Sequence, residues 1–263
     1  FPHVNELWAP TRFIEKMLRD CAPEHVKVVY MPPAVQVPAV EGSMKRTHFG
    51  LDERFTFLFS FDFMSIAKRK NPWGLVEAFT RAFAEGEGPQ LVIKSMNGER
   101  RCEDLDKLVE AIGGRSDITL MTNYLTRVEA STLTSLADCY VSLHRSEGLG
   151  LTITEALSLG VPVIATGYSG NLDFMDEWNT WRVPCSMTRV GEGAGGYPKD
   201  ALWAEPDLDA AARMMREVYE NPIDAREKAA KARDHVLNSF SVQAAGTRMK
   251  KRLEGIWAEL GRG

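Results

Sequence analysis

From residue 54 to residue 166 the chain alternates between two sequence patterns, and this alternation limits the fold more than any other feature. Short apolar or aromatic runs are separated by longer segments with apolar residues three and four positions apart, the spacing of an amphipathic helix. Strands and helices in this order form right-handed β-α-β units around a mostly parallel sheet with helices on both faces. We therefore predict a doubly wound, Rossmann-like α/β fold. The predicted strands are 54–61, 90–94, 118–121, 139–143 and 161–166, and the predicted helices are 73–84, 102–112, one opening at Thr126, and 152–159.

Two regions depart from this alternation. Residues 184–203 are glycine-rich and have no clear periodicity, so we predict an extended surface loop there. Residues 207–260 have helical patterns throughout, with breaks expected at Pro222 and Ser241. A further helical pattern covers residues 11–19, and the prolines that follow it predict a stiff, extended connector.

Composition and charge exclude several classes of protein. The net charge of -4 and the pI of about 5.8 give no reason to expect a nucleic-acid partner, which usually requires a basic surface. The four cysteines are scattered without a C-x-x-C pair, so neither a zinc site nor a disulfide framework is indicated. No apolar segment is long enough to be read as a transmembrane span, and no signal peptide is recognised. The scattered cysteines fit a reducing compartment, so we expect a cytoplasmic protein. Because the chain starts at Phe1 and not at Met, we also expect it to be a piece of a longer protein.

The most informative segment is 138–175, where a strand is followed by a loop and a helix. The strand is predicted to end near residue 143 and the helix to begin near Thr152. The first N–H groups of a helix lack intrahelical acceptors and carry the positive end of the dipole, so they can receive a phosphate group. Glu147 and Glu155 flank this position, and their carboxylates can accept hydrogen bonds from sugar hydroxyls. A nucleotide sugar has this layout, with hydroxyls on either side of a diphosphate.

The spacing of Glu147 and Glu155 within SEGLGLTITEAL, followed by GVPVIAT, resembles the E-x7-E motif of retaining GT-B glycosyltransferases, particularly glycosyltransferase family 4. The similarity runs from about residue 50 to the C-terminus and corresponds to the family's C-terminal donor-binding domain. The opening ELWAPTRF is similar to the final helix of the family's N-terminal acceptor domain. The resemblance therefore implies three parts: residues 1–25 as the tail of the preceding acceptor domain, 26–50 as the interdomain connector, and 51–263 as the nucleotide-sugar-binding domain with C-terminal helices.

The resemblance also implies roles for the residues of the motif. The second acid holds the donor ribose and the first approaches the donor hexose, which assigns these roles to Glu155 and Glu147. The backbone between them, at Gly150, Leu151 and Thr152, offers N–H groups to the diphosphate. Two structural alternatives stay open, because Thr152 and Glu155 have the spacing of a helix capping box and Glu147 could be a solvated loop acid.

A second candidate site is the loop after the first strand of this domain. Family members have a glycine-arginine pair there and a lysine several residues later, and both cations neutralise the leaving diphosphate. Lys70 resembles that lysine, but the glycine-arginine pair is absent, and Asp62 or Ser65 falls near the arginine position. Lys68 or Arg69 could compensate. We assign the catalytic lysine to Lys70 and include Arg69 in the donor site; a solvated basic turn is the structural alternative.

Three further residues complete the predicted donor site. Tyr124 follows a strand after which family members hold the base through main-chain groups. His144 precedes the motif and could face the donor, with a structural role as the alternative. Asn171 follows the next strand and could line the sugar pocket, with a simple turn as the alternative. The G-x-G-x-x-G spacing that starts at Gly191 lacks the flanking strand and helix of a dinucleotide site and predicts a loop.

The resemblance implies retaining transfer of a hexose from a UDP- or GDP-sugar to an unknown glycan, lipid or protein acceptor. This scheme needs no cofactor and no metal, and no D-x-D-type acidic cluster in a suitable loop argues otherwise. Because the acceptor would bind in the preceding domain, we expect this piece alone to be inactive. Any peripheral attachment to the inner membrane would also run through that domain. The alternatives are a non-catalytic nucleotide-binding or interaction module with the same fold, and another GT-B enzyme such as a sugar-nucleotide epimerase.

Overall fold

The structure, a computed structural model that describes residues 3–261, contains a small β-α-β unit, a six-stranded parallel sheet with its helices, and three C-terminal helices. In chain order the elements are β1 (Glu6–Ala9), α1 (Arg12–Cys21), β2 (Lys27–Tyr30), β3 (Thr56–Asp62), α2 (Ala67–Lys70), α3 (Pro72–Ala82), β4 (Gln90–Met96), α4 (Cys102–Ile112), β5 (Ile118–Met121), α5 (Arg127–Leu136), β6 (Cys139–Ser142), α6 (Leu151–Ser158), β7 (Val163–Thr166), β8 (Trp181–Val183), β9 (Cys185–Arg189), β10 (Leu202–Pro206), α7 (Leu208–Glu220), α8 (Pro222–Ser239) and α9 (Val242–Glu259).

The main sheet has the strand order β5-β4-β3-β6-β7-β8, and all of its strand pairs are parallel. This order confirms the predicted doubly wound α/β fold. The chain proceeds from β3 outward through β4 and β5, and then returns to β6 and continues the other way. In sheets of this kind a crevice forms at the carboxyl ends of the two strands that flank the reversal, and ligands bind there. The order therefore directs attention to the ends of β3 and β6.

Strand β3 lies in the middle of the sheet because both of its faces are buried. Phe57, Leu58 and Phe59 are each at most 1% exposed. The ring of Phe57 packs against Phe79 and Phe83, at centroid distances of 6.1 and 5.7 Å. Full burial of side chains of this size stabilises a fold by roughly 1.5–3 kcal/mol each. The aromatic run that predicts this strand also explains its central position.

The prediction of an extended loop at 184–203 is wrong. Both ends of this range belong to β9 and β10, an antiparallel pair in which Arg189 lies opposite Leu202. Only the connection between them, 190–201, is irregular, and Gly191 has a φ of 70° there. The pairing joins residues that are distant in sequence, and β9 is largely exposed, so its local pattern carries little strand signal.

The helical C-terminal region is confirmed, with breaks at the predicted residues. Pro222 is the first residue of α8, where its missing N–H removes no helical hydrogen bond. Ser241 caps α9 by accepting the N–H of Ala244. A capping box of Thr126 and Glu129 opens α5, the helix predicted to open at Thr126. No helix within residues 3–261 combines the length and apolar character that crossing a membrane requires.

The N-terminal β-α-β unit contacts the last helix, α9. Strands β1 and β2 pair in parallel around α1, so regular structure continues to Tyr30, inside the range 26–50 predicted as a connector. The carboxylate of Glu6 in β1 pairs with the guanidinium of Arg252 in α9. Both side chains of this pair are largely buried, which favours a defined position for the N-terminal unit.

One buried side chain joins the two loops that meet at the carboxyl ends of β3 and β6. We call residues 62–71 the cation loop and residues 143–150 the acid loop. Asn71, with a φ of 56° and 2% exposure, donates from its amide nitrogen to the Leu143 carbonyl oxygen at 2.9 Å. Its amide oxygen accepts the N–H of Gly74 at 3.3 Å and so caps α3. A Cβ at Gly74 would lie 2.5 Å from the Asn71 amide nitrogen, so this contact requires glycine.

We predict that Asn71→Ala lowers the free energy of unfolding by about 2–4 kcal/mol, because it removes a helix cap and leaves a buried carbonyl without its donor. Urea titration followed by circular dichroism measures the change. Asn221→Ala is the matched control, since Asn221 is exposed, does not cap α8 with its side chain, and donates from its amide to the exposed end of α7 at Glu217. The control should change the free energy by about 0.5 kcal/mol or less. Equal losses in the two variants would contradict the assigned role of Asn71.

Candidate functional site

A cavity of about 440 Å³ lies at the carboxyl ends of β3 and β4, between the cation loop and the start of α6. We call it the main cavity. It adjoins the point at which the strand order reverses, and its volume is in the range of small-molecule sites. Its wall includes the charged and polar residues Asp62, Lys70, Lys94, Glu147 and Thr152.

Helix α6 begins at the main cavity without a side-chain cap. Gly150 precedes the helix with a φ of 81°, and no side chain accepts from the first turn. Within the described residues, the N–H groups of Leu151, Thr152 and Ile153, which we call the leading amides, have no acceptor. The alternative in which Glu155 closes a capping box is therefore wrong. The leading amides carry the positive end of the helix dipole, about half an elementary charge.

The backbone of the acid loop is held by the loop that follows β7. The Ser169 hydroxyl accepts the N–H of Glu147 at 2.8 Å, and the N–H of Gly170 donates to the Glu147 carbonyl oxygen at 2.8 Å. Gly170 passes so close that a Cβ there would lie 2.1 Å from the carbonyl oxygen of Gly148. Thr11 in the N-terminal unit donates its hydroxyl to that oxygen at 2.9 Å. These contacts fix the position of Glu147 relative to the start of α6.

Glu147 is 8% exposed and lines the main cavity, so the alternative of a solvated loop acid is wrong. One of its carboxylate oxygens lies 2.5 Å from the ammonium nitrogen of Lys70 and 3.0 Å from a guanidinium nitrogen of Arg69. Burial alone would raise the pKa of Glu147, but these cations outweigh burial and hold its pKa below 4.5. The carboxylate is therefore ionised at neutral pH, and the positive charges of Lys70 and Arg69 balance its negative charge.

The three consecutive basic residues of the cation loop have different surroundings. Lys70 lines the main cavity and binds Glu147. The Arg69 guanidinium pairs with the same acid, donates to two backbone carbonyl oxygens as well, and does not line the cavity. Lys68 turns away and donates to two carbonyl oxygens of the β9–β10 connection. Lys68 thus does not replace the absent arginine, and a solvated basic turn is the wrong description of Arg69 and Lys70.

The two residues of the cavity wall near the expected arginine, Asp62 and Ser65, are not cations. The Asp62 carboxylate accepts the N–H of Met64 at 2.8 Å and the amide of Asn97 at 2.9 Å. The Ser65 hydroxyl donates to the Asp62 carbonyl oxygen at 2.6 Å. Both Asp62 and Ser65 line the main cavity. This part of the wall therefore contains the carboxylate of Asp62 where the family resemblance predicts a guanidinium.

Glu155 lines a second cavity of about 240 Å³, which we call the side cavity. Leu149 and Leu151 line both cavities, so the two acids of the motif lie in adjoining spaces separated by these leucines. Within the described residues the Glu155 carboxylate has no hydrogen-bond or ion-pair partner. Burial raises its pKa, and the positive charge of Arg127 opposes that shift. Glu155 is therefore an acid whose hydrogen-bonding capacity is unused by the protein.

His144 and Asn171 do not line the main or the side cavity, and their predicted contact with a donor stays a prediction. Each is 0% exposed. The Asn171 amide nitrogen donates to the Thr166 carbonyl oxygen at 2.9 Å, so its oxygen accepts from Nε2 of His144 at 3.0 Å. Nδ1 of His144 then accepts the Ser142 hydroxyl at 3.0 Å. Burial lowers the pKa of His144. The structural alternative fits both residues, because their polar atoms are occupied by protein partners.

Tyr124 is 78% exposed, whereas its neighbour Leu125 lines the main cavity. The predicted contact at this strand end uses main-chain groups, so the exposure of the Tyr124 side chain does not decide it, and the role stays a prediction. Between residues 3 and 261 no group of three or more His, Cys, Asp or Glu side chains is arranged to hold a metal ion.

Sequence reasoning missed two charged residues beside these cavities. Lys94 is 9% exposed in the main cavity, and Arg127 lines the side cavity opposite Glu155. The available signal for Lys94 was a charged residue within a short, buried strand, close to its carboxyl end. Arg127 had no such signal, because an arginine in the first turn of a helix is ordinarily a solvated residue.

A third missed residue, Arg145, links the β9–β10 hairpin to the cation loop. Its guanidinium donates to both carboxylate oxygens of Glu205 at 2.8 and 2.7 Å, and to the Lys68 carbonyl oxygen at 2.6 Å. Its backbone N–H donates to the Arg69 carbonyl oxygen at 2.8 Å, and its own carbonyl accepts the N–H of Ala204 at 2.9 Å. The hairpin therefore supports the backbone that carries Lys70.

Comparison with known proteins identifies similar chains. The curated trehalose synthase of Rubrobacter xylanophilus is 26% identical over 241 residues, which cover 80% of this chain and 51% of that protein. The chain thus spans about half the length of this relative. The structure of sucrose-phosphate synthase from Thermosynechococcus elongatus matches 97% of this chain and 59% of its own, at 19% identity and a TM-score of 0.75. Anabaena HepE in complex with UDP and glucose matches 95% of this chain and 63% of its own, at 14% identity and a TM-score of 0.71.

These structural likenesses establish the fold of a GT-B glycosyltransferase domain. The sequence profile described as Glycosyl transferases group 1 matches residues 52–235, well over half of the chain. That range includes the whole main sheet, the β9–β10 hairpin, the cation loop, the acid loop and the whole of α6. The chain therefore belongs to the glycosyl transferases group 1 family.

Proposed function

We propose that this chain is the donor-binding domain of a retaining glycosyltransferase of family 4, which transfers a hexose from a UDP- or GDP-sugar. The observation that carries the proposal is the start of α6, whose leading amides have no acceptor in the described part of the chain. They adjoin a cavity that Lys70 and Glu147 also line. An anion is the ligand that completes such a helix start.

The diphosphate of the donor fits this position on electrostatic grounds. Charge develops on the diphosphate as the bond to the sugar breaks, and groups that are fixed before the reaction stabilise this charge most effectively. The leading amides are fixed by the surrounding acid loop, and Lys70 is held by its contact with Glu147. When the diphosphate binds, the Lys70 ammonium can donate to a phosphate oxygen while it keeps one bond to the carboxylate.

We assign the two acids to different sugars of the donor. This assignment is supported by their positions, since Glu147 and Glu155 line adjoining but separate cavities. Glu147, which shares the main cavity with Lys70, would accept from the donor hexose and support the positive charge of an oxocarbenium-like state. Glu155, in the side cavity, would accept from the ribose hydroxyls. A ligand that reaches both acids must pass Leu149 and Leu151, and the proposal requires these side chains to move. We assign the base to the main-chain groups of residues 121–125.

We further propose that residues 1–25 are the tail of an acceptor domain and that 26–50 connect it to the donor domain at 51–263. The acceptor, of unknown type, would bind in the part of the relatives' length that this chain does not span. Support comes from the N-terminal unit, which contacts the acid loop through Thr11 and is therefore close to the proposed donor site. Transfer by the chain alone should be negligible, and neither metal nor cofactor takes part in the scheme.

We predict different binding defects for the two acids. Glu155→Ala should weaken UDP and UDP-glucose equally, by about tenfold, because it removes hydrogen bonds to a ribose that both ligands contain. Glu147→Gln should leave UDP binding unchanged or tighter, since it releases Lys70, but should abolish any preference for UDP-glucose over UDP. Isothermal titration with both ligands, repeated with GDP and GDP-mannose, measures these changes.

Glu177→Gln is the control for this experiment, because Glu177 is an exposed acid that pairs with Arg182 and lines neither cavity. Its affinities should match the wild type. Identical defects in the Glu147 and Glu155 variants would refute the separate roles. A wild-type chain that binds no nucleotide at all would remove the proposed function itself.

The opposite pKa shifts of the acids predict opposite effects on stability. The pKa of Glu155 is raised above 4.5 by burial, so its ionisation destabilises the fold as pH rises through the raised value. Glu155→Gln should therefore melt above the wild type at pH 7, and the difference should vanish as pH falls below 4.5. The pKa of Glu147 is lowered, so its stabilisation exists above pH 4.5 and is lost on acidification. Glu147→Gln should melt below the wild type at pH 7. Thermal unfolding between pH 4 and 8 measures both, and shifts of the same sign would contradict the assignment.

A further inference from the structure

We propose that Lys94 supplies the second positive charge for the donor diphosphate, beside Lys70. The inference rests on the proposed function. It concerns a residue of β4, which lies outside both the acid motif and the cation loop. It follows from a comparison of the charged groups that line the main cavity.

Lys94 is the cation of this cavity that no acid neutralises, as far as residues 3–261 are described. It is 9% exposed, and its ammonium donates to the carbonyl oxygen of the adjacent Ser95 at 2.6 Å, with no carboxylate within ion-pair distance. Lys70, by contrast, shares the carboxylate of Glu147 with Arg69. The basic residues of the cation loop therefore offer less free positive charge than their number suggests.

The strand register puts Lys94 on the same face of the sheet as other cavity residues. In the parallel pair of β3 and β4, Lys94 lies opposite Ser60, and both residues line the main cavity together with the start of α6. Residues opposite each other in neighbouring strands share a face. Lys94 and the first two residues of α6, Leu151 and Thr152, thus line one cavity of about 440 Å³.

A buried ammonium without an anionic partner is unfavourable, because desolvation is not balanced by Coulomb attraction. Burial accordingly lowers the pKa of Lys94. A diphosphate is the part of a nucleotide sugar that supplies the missing negative charge, whereas the base, the ribose and the hexose are neutral. Asp62, which also lines the cavity, would repel a diphosphate and makes an additional cation necessary. Lys94 therefore offers the diphosphate a positive charge in a cavity that also contains the Asp62 carboxylate.

The test compares ligands that differ in the number of phosphates. Uridine, UMP and UDP, and in parallel guanosine, GMP and GDP, are titrated calorimetrically into the wild type, Lys94→Met and Lys94→Arg. We expect Lys94→Met to weaken the better-bound nucleoside diphosphate by about tenfold or more, with a smaller loss for the monophosphate and none for the nucleoside. Lys94→Arg should recover much of the loss. Lys94→Gln, of similar length and polarity, replaces Lys94→Met if the apolar variant does not fold.

Lys228→Met is the matched control, because Lys228 in α8 is a half-buried lysine whose pKa burial also lowers. Its ammonium lies over the ring of Trp181 in β8, and it does not line the main cavity. It should bind all ligands like the wild type. Unchanged diphosphate binding in the Lys94 variants overturns the inference, and so does an equal loss for the nucleoside, which would indicate a contact with the base or ribose. If the wild type binds nucleoside diphosphates and the Lys94 variants bind them equally well, the inference fails but the proposed function survives. If the wild type binds none of the ligands, the proposed function fails and the inference fails with it.

Discussion

The start of helix α6 is the feature on which the rest of this site depends. A helix start leaves N–H groups unpaired, and proteins commonly satisfy them with a capping side chain. Here Gly150 occupies the capping position without offering one, and the leading amides adjoin a cavity at the reversal of the strand order. The fold thus keeps positive potential where the ends of β3 and β6 diverge, and the charged residues around it are arranged with respect to that potential.

Much of the surrounding structure serves to hold this arrangement still. Asn71 ties the cation loop to the end of β6, and Ser169 and Gly170 hold the backbone of Glu147 from the other side. Arg145 and the β9–β10 hairpin support the backbone that leads to Lys70. Because electrostatic stabilisation is most effective when donors and charges need not reorganise, these supports belong to the proposed function together with the charged residues.

The sequence is sufficient for features that local pattern determines. The alternation of strands and helices, the start of α6, and the boundaries near Pro222 and Ser241 all follow from neighbours within one element or loop. The features that could not be predicted from the sequence depend on contacts between residues of different elements. The β9–β10 pairing, the burial of Lys94 and the enclosure of His144 among Ser142 and Asn171 require the folded chain. Likewise, the spacing of the two acids does not reveal that leucines separate them.

The most direct test of the account is a titration of the ¹⁵N-labelled chain with UDP and with GDP, followed through the backbone amide resonances. The account predicts that the N–H signals of Leu151 and Thr152 shift most, along one saturating curve, because a diphosphate oxygen becomes their acceptor. Saturable binding that leaves these signals in place, while amides elsewhere shift, would contradict the claim that the start of α6 receives the diphosphate.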